Sequence, residues 1–521
     1  MYRLVVHGRA VLIACLFLAL PARAGQLSPF GGSLVTLHGA IDRAAFDDGG
    51  EGIAYTVPAG GDLQAAIDGA QPGDTILLTP GATYEGSFNL WAKDGDGFIT
   101  IRSAAPDSSL PGDGVRMTPD YVSQLPRVQG GIGGAPAFVT SAGAHHYRLQ
   151  FLEAVNTFPD NSIIELGDAL ASDASVLPRD LVIDRCFIHG DAANGQKRGI
   201  AINSAATTIV NSYISDIKHA VQDAQAIAGW NGPGPFTIEN NYLESTGENV
   251  LFGGDDPAIQ NLVPSDISFR FNYVTKQLSW MGTSFIVKNL FELKNAQRVT
   301  VDSNLFENNW SAQQSGYAIL LTPRNQGGNA PWAVVQQVQF TNNIVRHVSS
   351  VFNILGLDDT TMTVTNTITV QNNLFDDISA ANWGGAGQLV LTQGGNNIVF
   401  DHNTVLTDGT SVVYADVAAV PGFVFTNNII PDNEWAVMGG NAGEGNGTLA
   451  LYYPDAIFAG NVVIGADQTV YPAGNFFPAT KSDVGFIDPS SENYRLGNSS
   501  PFLYAATDGG AVGCNMDWLP G

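Results

Sequence analysis

The sequence predicts an all-β protein, a right-handed parallel β-helix with a short capping helix at its N-terminal end. An apolar-x-apolar-x-x-Asn-x-apolar pattern returns every 25 to 39 residues, and its alternation has the period of two that is typical of strands. Repeats of this length also occur in helical solenoids. Here, however, Gly, Asn and Thr crowd the segments where such a fold would need helix formers. The 59 glycines suit a protein with many tight turns.

The asparagine of the repeat is expected to mark one corner of each coil. Asn tolerates a left-handed backbone, and stacked amides can hydrogen-bond one coil to the next. Between these corners run further short apolar strands, so each coil should contain two or three parallel strands. We therefore expect a single column of side chains made of Asn241, Asn272, Asn304, Asn343, Asn373, Asn403, Asn428 and Asn461, with Cys186 and Ser212 in the same place in two earlier coils.

The first 24 residues have the form of a signal peptide. Arg3 and Arg9 precede an apolar run, and a small-residue cleavage site follows at residues 22–24. We expect an exported protein, extracellular or periplasmic, and no segment that spans a membrane.

The rest of the chain divides into two parts. Residues 25–60 show no clear period and are expected to form an irregular lead-in, whereas residues 61–515 should form one β-helix domain. Within it, residues 62–70 predict a helix with Asp62 as its N-cap. A helix in this place would cover the open end of the sheet stack.

Charge and cysteine content exclude some classes of protein. The formal net charge is −26 for the whole chain and −29 without residues 1–24, which makes nucleic acid an unsuitable partner. Cys186 and Cys514 lie about eleven coils apart, too far for a disulfide between them. We expect a monomer with both of these thiols free.

Several stretches resemble a known superfamily. The segment DLQAAIDGAQPGDTILLTPGATY at residues 62–84, the asparagine coils, and the closing residues 494–496 and 512–513 look like secreted right-handed β-helix proteins of the pectin-lyase-like superfamily. The resemblance covers most of residues 57–515. It implies the fold but leaves the activity open, because the superfamily includes lyases, hydrolases, epimerases, esterases and tailspike adhesins.

The densest chemistry lies in residues 270–298. Five basic residues stand there against Glu292 alone, a local charge of +4 in an acidic protein. One interpretation is a structural patch of ion pairs. The other is a groove for an anionic chain such as a uronic-acid polysaccharide.

If the substrate is a uronate, β-elimination is the reaction to consider. It needs a base that removes the C5 proton and a cation that stabilises the resulting charge. Lys288 or Lys294 would be the base, since crowding by other cations lowers the pKa of a lysine. Arg324 would be the electrostatic partner.

Other residues of the same region would hold the substrate or a metal. Ca²⁺ bound by carboxylate and amide oxygens could neutralise the substrate carboxyl group, and the candidate ligands are Glu248, Asn249 and Glu292. The candidate substrate contacts are Asp223, Gln225, Asn231, Trp310 and Asn325.

This arrangement is similar to that of β-helix alginate and chondroitin lyases. These pair a strand carrying Glu and Lys with an Arg-bearing strand on the next coil. Here residues 292–295 (Glu-Leu-Lys-Asn) precede residues 322–325 (Thr-Pro-Arg-Asn). The resemblance implies a polysaccharide lyase.

Two other functions remain open. A hydrolase needs two or three carboxylates in one groove. The Asp pairs at 255–256, 358–359 and 376–377 are adjacent residues, which point to opposite faces of a strand. A glycan-binding protein or adhesin would need only exposed tryptophans. An enzyme should have its long coil, from Asn304 to Asn343, beside a groove over the basic strand, whereas an adhesin should present a flat face.

Overall fold

The computed structural model describes residues 52–360 and 362–520. The expected signal peptide at residues 1–24 and most of the lead-in lie outside the described residues. In the described part, the chain winds into three long parallel sheets. The fold is the right-handed parallel β-helix that the repeat predicts.

The three sheets are called A, B and C, in the order in which a coil passes through them. Within residues 52–360 and 362–520, sheet A has 14 strands, sheet B has 13 and sheet C has 12. Sheet A contains Ala54–Val57, Thr75–Leu78, Ile99–Ser103, His145–Gln150, Arg179–Asp184, Thr207–Val210, Phe236–Glu239, Ser265–Arg270, Ala296–Asp302, Val335–Thr341, Asn366–Gln371, Asn396–Asp401, Val424–Thr426 and Ile457–Ala459. Sheet B contains Thr83–Glu85, Arg127–Gly130, Glu153–Asn156, Phe187–His189, Tyr213–Ile217, Tyr242–Ser245, Tyr273–Thr275, Leu305–Asn309, Ile344–Val348, Leu374–Ile378, Thr404–Thr407, Ile429–Pro431 and Val462–Ile464. Sheet C contains Phe88–Leu90, Phe138–Thr140, Ser162–Leu166, Arg198–Ile202, Gln225–Gly229, Glu248–Phe252, Phe291–Leu293, Tyr317–Leu321, Ser350–Leu355, Val390–Gln393, Ser411–Ala415 and Trp435–Gly439.

The remaining elements are short. The α-helices are Leu63–Gly69, Ala380–Trp383 and Asn446–Tyr452, and Phe486–Asp488 pairs antiparallel with Asn493–Leu496. The 3₁₀ turns are Asp107–Ser109, Pro119–Gln124, Ile132–Gly134, Ala174–Val176, Leu278–Trp280, Gln468–Val470, Lys481–Val484, Pro489–Ser491 and Met516–Trp518.

The core is a continuous stack of apolar side chains that point inward from all three sheets. Phenylalanines from successive coils lie on one another along it. The ring centroids of Phe269 and Phe306 are 6.1 Å apart, and those of Phe306 and Phe340 are 5.7 Å apart. Because each coil buries its apolar face only against its neighbours, the stack stabilises the whole solenoid.

The asparagine column at the A–B corner is confirmed. Each named amide donates to the amide oxygen of the next, at 2.9 Å from Asn403 to Asn428 and 3.2 Å from Asn428 to Asn461. Ser212 and Cys186 continue the column, since Ser212 N donates to Asn241 and Cys186 N donates to Ser212. Asn475 extends it at the other end.

The left-handed residue of the corner is one position earlier than expected. Positive φ angles occur at Ser303 (55°), Asn342 (56°) and Asn372 (55°), each directly before a ladder asparagine. The ladder residue itself must point its amide inward to reach the next coil. The residue before it therefore makes the sharp bend.

The N-terminal cap is confirmed as well. Asp62 accepts a hydrogen bond from Ala65 N at 2.9 Å, and Leu63 and Ile67 are buried beneath the helix. The sheet, however, begins before residue 61. The strand Ala54–Val57 pairs with Thr75–Leu78, so part of the expected irregular lead-in is a strand.

Residues 476–520 do not form further full coils but return along the outside of sheet B. Val484, Phe502 and Val512 pack against Ile429 and Val462. Farther back along the solenoid, Tyr494 Oη donates to Asp376 at 2.9 Å and Arg346 pairs with Glu492 at 3.0 Å. The end of the predicted domain is thus a segment laid over earlier coils.

Two further expectations concern single features. Cys186 and Cys514 are both free thiols, as their separation predicts. Among the described residues, no helix combines the length and the apolar character needed to cross a membrane.

Candidate functional site

A line of polar side chains crosses the outer face of sheet C. The strand register places Arg198, Gln225 and Glu248 opposite one another on three successive coils. Arg198 Nη2 donates to Gln225 Oε1 at 2.9 Å, and Gln225 Nε2 donates to Glu248 Oε2 at 2.9 Å. Gln225 therefore fixes the Glu248 carboxylate rather than offering its amide to solvent.

Lys288 binds two carboxylates at this face. Its ammonium is 3.1 Å from Glu248 Oε1 and also contacts Asp223 Oδ2. Burial acts to lower the pKa of Lys288, but the charges of Glu248 and Asp223 outweigh it and raise that pKa. A lysine held in its charged form is a poor base, which counts against Lys288 in that role.

Glu292 lies one coil farther along, on the strand Phe291–Leu293, and Lys294 directly follows that strand. Phe291 and Leu293 point into the core, as the alternation predicts. Glu292 is 1% exposed, accepts from Asn289 Nδ2 at 2.8 Å, and has Lys294 Nζ at 3.5 Å from its Oε1. Burial raises the pKa of Glu292, and the charge of Lys294 opposes that rise.

Arg324 is the immediate neighbour of Lys294. Its backbone N donates to Lys294 O at 2.9 Å, so the two residues stand side by side where adjacent strands of sheet C end. The Arg324 guanidinium pairs with Asp358, and its side chain is 40% exposed. The lysine and the arginine from neighbouring coils are thus adjacent, and each is paired with a carboxylate of its own.

Four of the predicted contact and ligand residues have structural roles. Asn325 accepts from Ala330 N at 2.7 Å and fixes its own loop. Asn231 is fully buried and donates to Asp168 O and Ala171 O. Asn249 points inward and donates to Leu243 O and Thr275 O. Trp310 is 4% exposed inside an apolar cluster, so its ring is not available for stacking on a sugar.

The three expected Ca²⁺ ligands do not fit one calcium site. Glu248 and Glu292 each have a lysine ammonium within 3.5 Å, and the Asn249 amide faces the interior. In the part of the chain that the structure describes, no group of three His, Cys, Asp or Glu side chains could hold a metal ion. The ammonium groups of Lys288 and Lys294 already contact the carboxylates that would have to bind Ca²⁺.

The five basic residues within residues 270–298 lie on different faces of the protein. Arg270 and Arg298 lie on sheet A, where Arg298 makes a two-pronged ion pair with Asp266 at 2.7 and 2.8 Å. Lys276 is buried. Only Lys288 and Lys294 reach the outer face of sheet C, so the +4 charge of the sequence is not a single basic surface.

Loops flank the site on both sides. On the B–C side, Trp280, Val287 and Trp310 form an apolar cluster, and Val287 N donates to Gln313 Oε1 at 2.7 Å. On the C–A side, residues 255–262 contact residues 325–332, where Trp332 Nε1 donates to Leu262 O at 3.0 Å. The coil from 304 to 343 contributes to both sides.

Reasoning from the sequence missed three residues of this face. Arg198 holds Gln225, Asn289 holds Glu292, and Asp358 pairs with Arg324. Arg198 and Asp358 could have been found from the repeat, since each lies one coil from its partner. Asn289 could not, because its role depends on how the turn before the strand bends.

A second group of acidic residues lies away from sheet C. A cleft of about 370 Å³ beside sheet B is lined by Asp376, Asp377, Asp408 and Lys481. Adjacent aspartates were expected to face opposite ways, but Asp377 has a φ of 46°. This left-handed turn brings both carboxylates to the same cleft. A larger cleft of about 500 Å³ on the same side is lined by Arg127, His189 and Asp191.

No protein-family model and no curated protein matches this chain. Among solved structures, the chain is similar to a PL6 family alginate lyase, AlyGC, with 13% identity and a TM-score of 0.50 over 89% of this chain and 58% of that one. It is also similar to a GH87 alpha-1,3-glucanase from Streptomyces thermodiastaticus, with 13% identity and a TM-score of 0.49 over 86% and 71% of the two chains. A Streptococcus pneumoniae surface protein and adhesin, PfbA, has 12% identity and a TM-score of 0.44 over 76% and 94%.

The chain thus spans little more than half of the alginate lyase that it matches. At this identity, the likeness shows the fold alone. It confirms the resemblance to right-handed β-helix proteins at that level. The activity has to be argued from the residues of the site.

Proposed function

We propose that this chain is an exported carbohydrate-active protein that cleaves an acidic, uronic-acid-containing polysaccharide by β-elimination. The observation that supports it is the pairing of Lys294 with Arg324 at the ends of adjacent strands, with the buried carboxylate of Glu292 behind Lys294. Two cations on adjacent coils, between two sets of loops, suit the carboxyl groups of an extended anionic chain.

Each cation would have a defined part in this reaction. In β-elimination a base takes the proton from C5 of the uronate, a C4–C5 double bond forms, and the bond from C4 to the bridging oxygen breaks. The leaving oxygen then receives a proton. Lys294 in its neutral form would take the C5 proton and, once protonated, could give it to the leaving oxygen. Arg324 would stabilise the charge that develops on the substrate carboxyl group.

The two lysines would differ in role because their partners differ. Lys288 is held by two carboxylates and would stay charged, so it would orient Glu248 and contact the substrate as an ammonium. Lys294 has one carboxylate contact, at 3.5 Å, and its side chain is 17% exposed. Because it has fewer carboxylate partners than Lys288, Lys294 is the lysine that we assign the role of base.

A hydrolase is the second candidate, and one observation favours it. Glu248 and Glu292 share the outer face of sheet C, and burial raises the pKa of Glu292, as a general acid requires. Asp223, 43% exposed, would be the most accessible carboxylate of the group. Against this function, Glu248 and Glu292 are each only 1% exposed, beneath the lysines that would meet the substrate first.

The product distinguishes these functions. Purified protein should be incubated with a panel of uronic-acid polysaccharides, with and without a calcium chelator. Ultraviolet absorbance then reports the unsaturated product, and a reducing-sugar assay reports every cleavage. Elimination raises both signals, hydrolysis raises only the second, and a protein that merely binds glycans raises neither.

Lys294→Ala should lower kcat by about 100-fold or more, because the base is lost. Lys93→Ala is the matched control, since Lys93 donates to Asp68 O near the capping helix, far from the site. Wild-type turnover in Lys294→Ala, on a substrate that the parent cleaves, would refute the assignment.

A further inference from the structure

Lys276 is the most unusual ionisable residue in the described part of the chain. Its side chain is only 1% exposed, and Nζ lies within hydrogen-bond distance of five oxygens. None of them belongs to a carboxylate. The contacts are Ser245 O at 2.9 Å, Thr246 O at 3.0 Å, Gly247 O at 2.7 Å, Asn249 Oδ1 at 2.9 Å and Asn289 O at 2.9 Å.

These five oxygens surround Nζ as ligands surround a bound cation. An ammonium has three N–H donors, so it shares them among five acceptors. The distances of 2.7 to 3.0 Å suit N–H···O hydrogen bonds, whereas Ca²⁺ would need oxygens at about 2.3–2.6 Å. This group of oxygens, called the oxygen cage below, therefore fits an ammonium rather than calcium.

The cage joins the two turns that carry the candidate site. Gly247 and Asn249 flank Glu248, and Asn289 follows Lys288. Backbone hydrogen bonds also join these turns, from Lys288 N to Thr246 O at 3.1 Å and from Asn289 N to Gly247 O at 3.2 Å. Movement of the cage would move the Glu248–Lys288 ion pair.

We propose that Lys276 is a positioning residue of the candidate site. Its buried amine occupies the place between coils that a structural cation would take, and it fixes the turns that carry Glu248 and Lys288. Only the effect on turnover rests on the proposed polysaccharide cleavage. The effect on the turns is independent of any substrate.

Without Lys276, each of the five buried oxygens would lose one hydrogen bond, and the turns would open to find water. Burial lowers the pKa of Lys276 well below its ordinary value, and the five acceptor oxygens around Nζ oppose this effect because they favour the ammonium form. These five hydrogen bonds keep the amine in place between the two turns.

The experiment uses two variants. Lys276→Ala leaves the cage empty, whereas Lys276→Met fills it with a side chain that cannot donate. Melting temperature is measured in ammonium chloride and in tetramethylammonium chloride at the same ionic strength. Ammonium should raise the melting temperature of Lys276→Ala in a saturable way, because it binds the folded state alone. It should not do so for Lys276→Met or the wild type.

Hydrogen exchange tests the positioning itself. The amides of Lys288 and Asn289 should exchange at least tenfold faster in both variants than in the wild type. Ammonium should restore slow exchange in Lys276→Ala only. The amides of Asn396–Asp401, several coils away, are the internal control. If Lys276→Ala fails to fold, the exchange rates of Lys276→Met decide.

Three outcomes would overturn the proposal: no ammonium-specific stabilisation of a folded Lys276→Ala, stabilisation by Ca²⁺ in place of ammonium, or unchanged exchange at residues 288–289 in Lys276→Met. Where a substrate is known, kcat of Lys276→Ala should fall and recover with ammonium. Absence of any cleavage by the wild type would count against the proposed function and leave the melting and exchange results to decide the role of Lys276.

Discussion

Single residues of the candidate site differ mainly in how their charges are compensated. Lys288 has two carboxylate partners, one of them fully buried, whereas Lys294 has one partner at 3.5 Å. A charge with two close partners is held in its ionised form, and a charge with one distant partner responds more readily to a ligand. Similar lysines on neighbouring coils therefore take different roles.

Glu292 gives a prediction with a defined pH dependence. Burial raises its pKa above the ordinary 4.5, so the folded protein binds this proton more tightly than the unfolded chain. Ionisation of Glu292 therefore lowers the stability of the folded protein at pH values above the folded pKa. Below pH 4.5 the carboxyl group is protonated in both the folded and the unfolded chain, so this loss of stability is absent. Glu292→Gln should therefore be more stable than the wild type at pH 8.

Thermal unfolding between pH 4 and pH 8 measures this difference, which should shrink towards zero at the acidic end. Glu434→Gln, at an exposed position, is the control and should show no such trend. A variant that is less stable than the wild type at pH 8 would mean that Glu292 is stabilised by Lys294 more than it is destabilised by burial.

His347 should also make stability fall as the pH rises, here because a stabilising ion pair is lost. Its hydrogen bond to Asp377 at 2.9 Å raises its pKa above 6.5. Burial acts to raise the pKa of Asp377, but hydrogen bonds from His347, Trp383 and Asn382 lower it. The contribution of His347 to stability is therefore fully present below pH 6.5 and is lost as the pH rises through the folded pKa of His347.

His347→Asn should thus cost about 0.5–1 kcal/mol near pH 5.5 and less at pH 9, since the pair is partly exposed. His145→Asn is a control of opposite sign, because burial lowers the pKa of His145. Its wild-type residue loses stability as the pH falls, so this variant should gain relative stability in acid. Equal effects of His347→Asn at both pH values would contradict the ion pair.

The sequence predicted the outward residues of the site better than the inward ones. Alternation placed Glu292 and Lys294 correctly, and the coil register brought Gln225, Glu248 and Arg324 near them. Asn249 and Trp310 were misplaced. Asn249 directly follows Glu248 on one strand, so alternation turns its side chain inward, whereas Trp310 is covered by Trp280 and Val287. Lys276 could not be found from sequence, since a buried lysine and an exposed one look alike until the surrounding carbonyl groups are known.

Among the elements, the A–B corner depends most directly on side-chain chemistry. Asn373 donates to Phe340 O, Gln371 O and Asn403 Oδ1, and its own amide oxygen accepts from Asn343. The repeat predicted this column from spacing alone. It did not predict that the residue with a positive φ directly precedes the ladder asparagine. Spacing alone cannot distinguish these two neighbouring positions, because the difference lies in the direction in which the ladder amide points.

Asn373→Leu should lower stability by about 1–3 kcal/mol, because it leaves buried donors and acceptors of two coils without partners. The control is Gln339→Leu, which makes a similar change at an exposed position on sheet A. Denaturant unfolding should separate the two variants. Equal stability of Asn373→Leu and Gln339→Leu would show that the asparagine column forms because the coils stack and contributes nothing to the free energy of unfolding.

For the molecule as a whole, the segments before and after the regular coils cover different parts of the solenoid. A helix capped by Asp62 covers the first coils, whereas residues 476–520 fold back over sheet B. The helix was predictable because its N-cap and apolar face are local in sequence. The returning segment was not, because Phe502 and Val512 contact Ile429 and Val462, from which they are separated by whole coils.

The returning segment should act as a clasp that depends on its apolar contacts. Phe502 is 6% exposed and packs in the cluster with Ile429 and Val462. Phe502→Ala should remove about 3–5 kcal/mol of packing energy, enough to release the segment while the coils keep their core. Limited proteolysis should then cut within residues 476–520 before any coil.

Tyr504→Ala is the matched control, since Tyr504 is 81% exposed and lies in the same segment. This variant should be cut no faster than the wild type. First cleavage of Phe502→Ala within the coils would mean that the segment and the solenoid unfold as one unit.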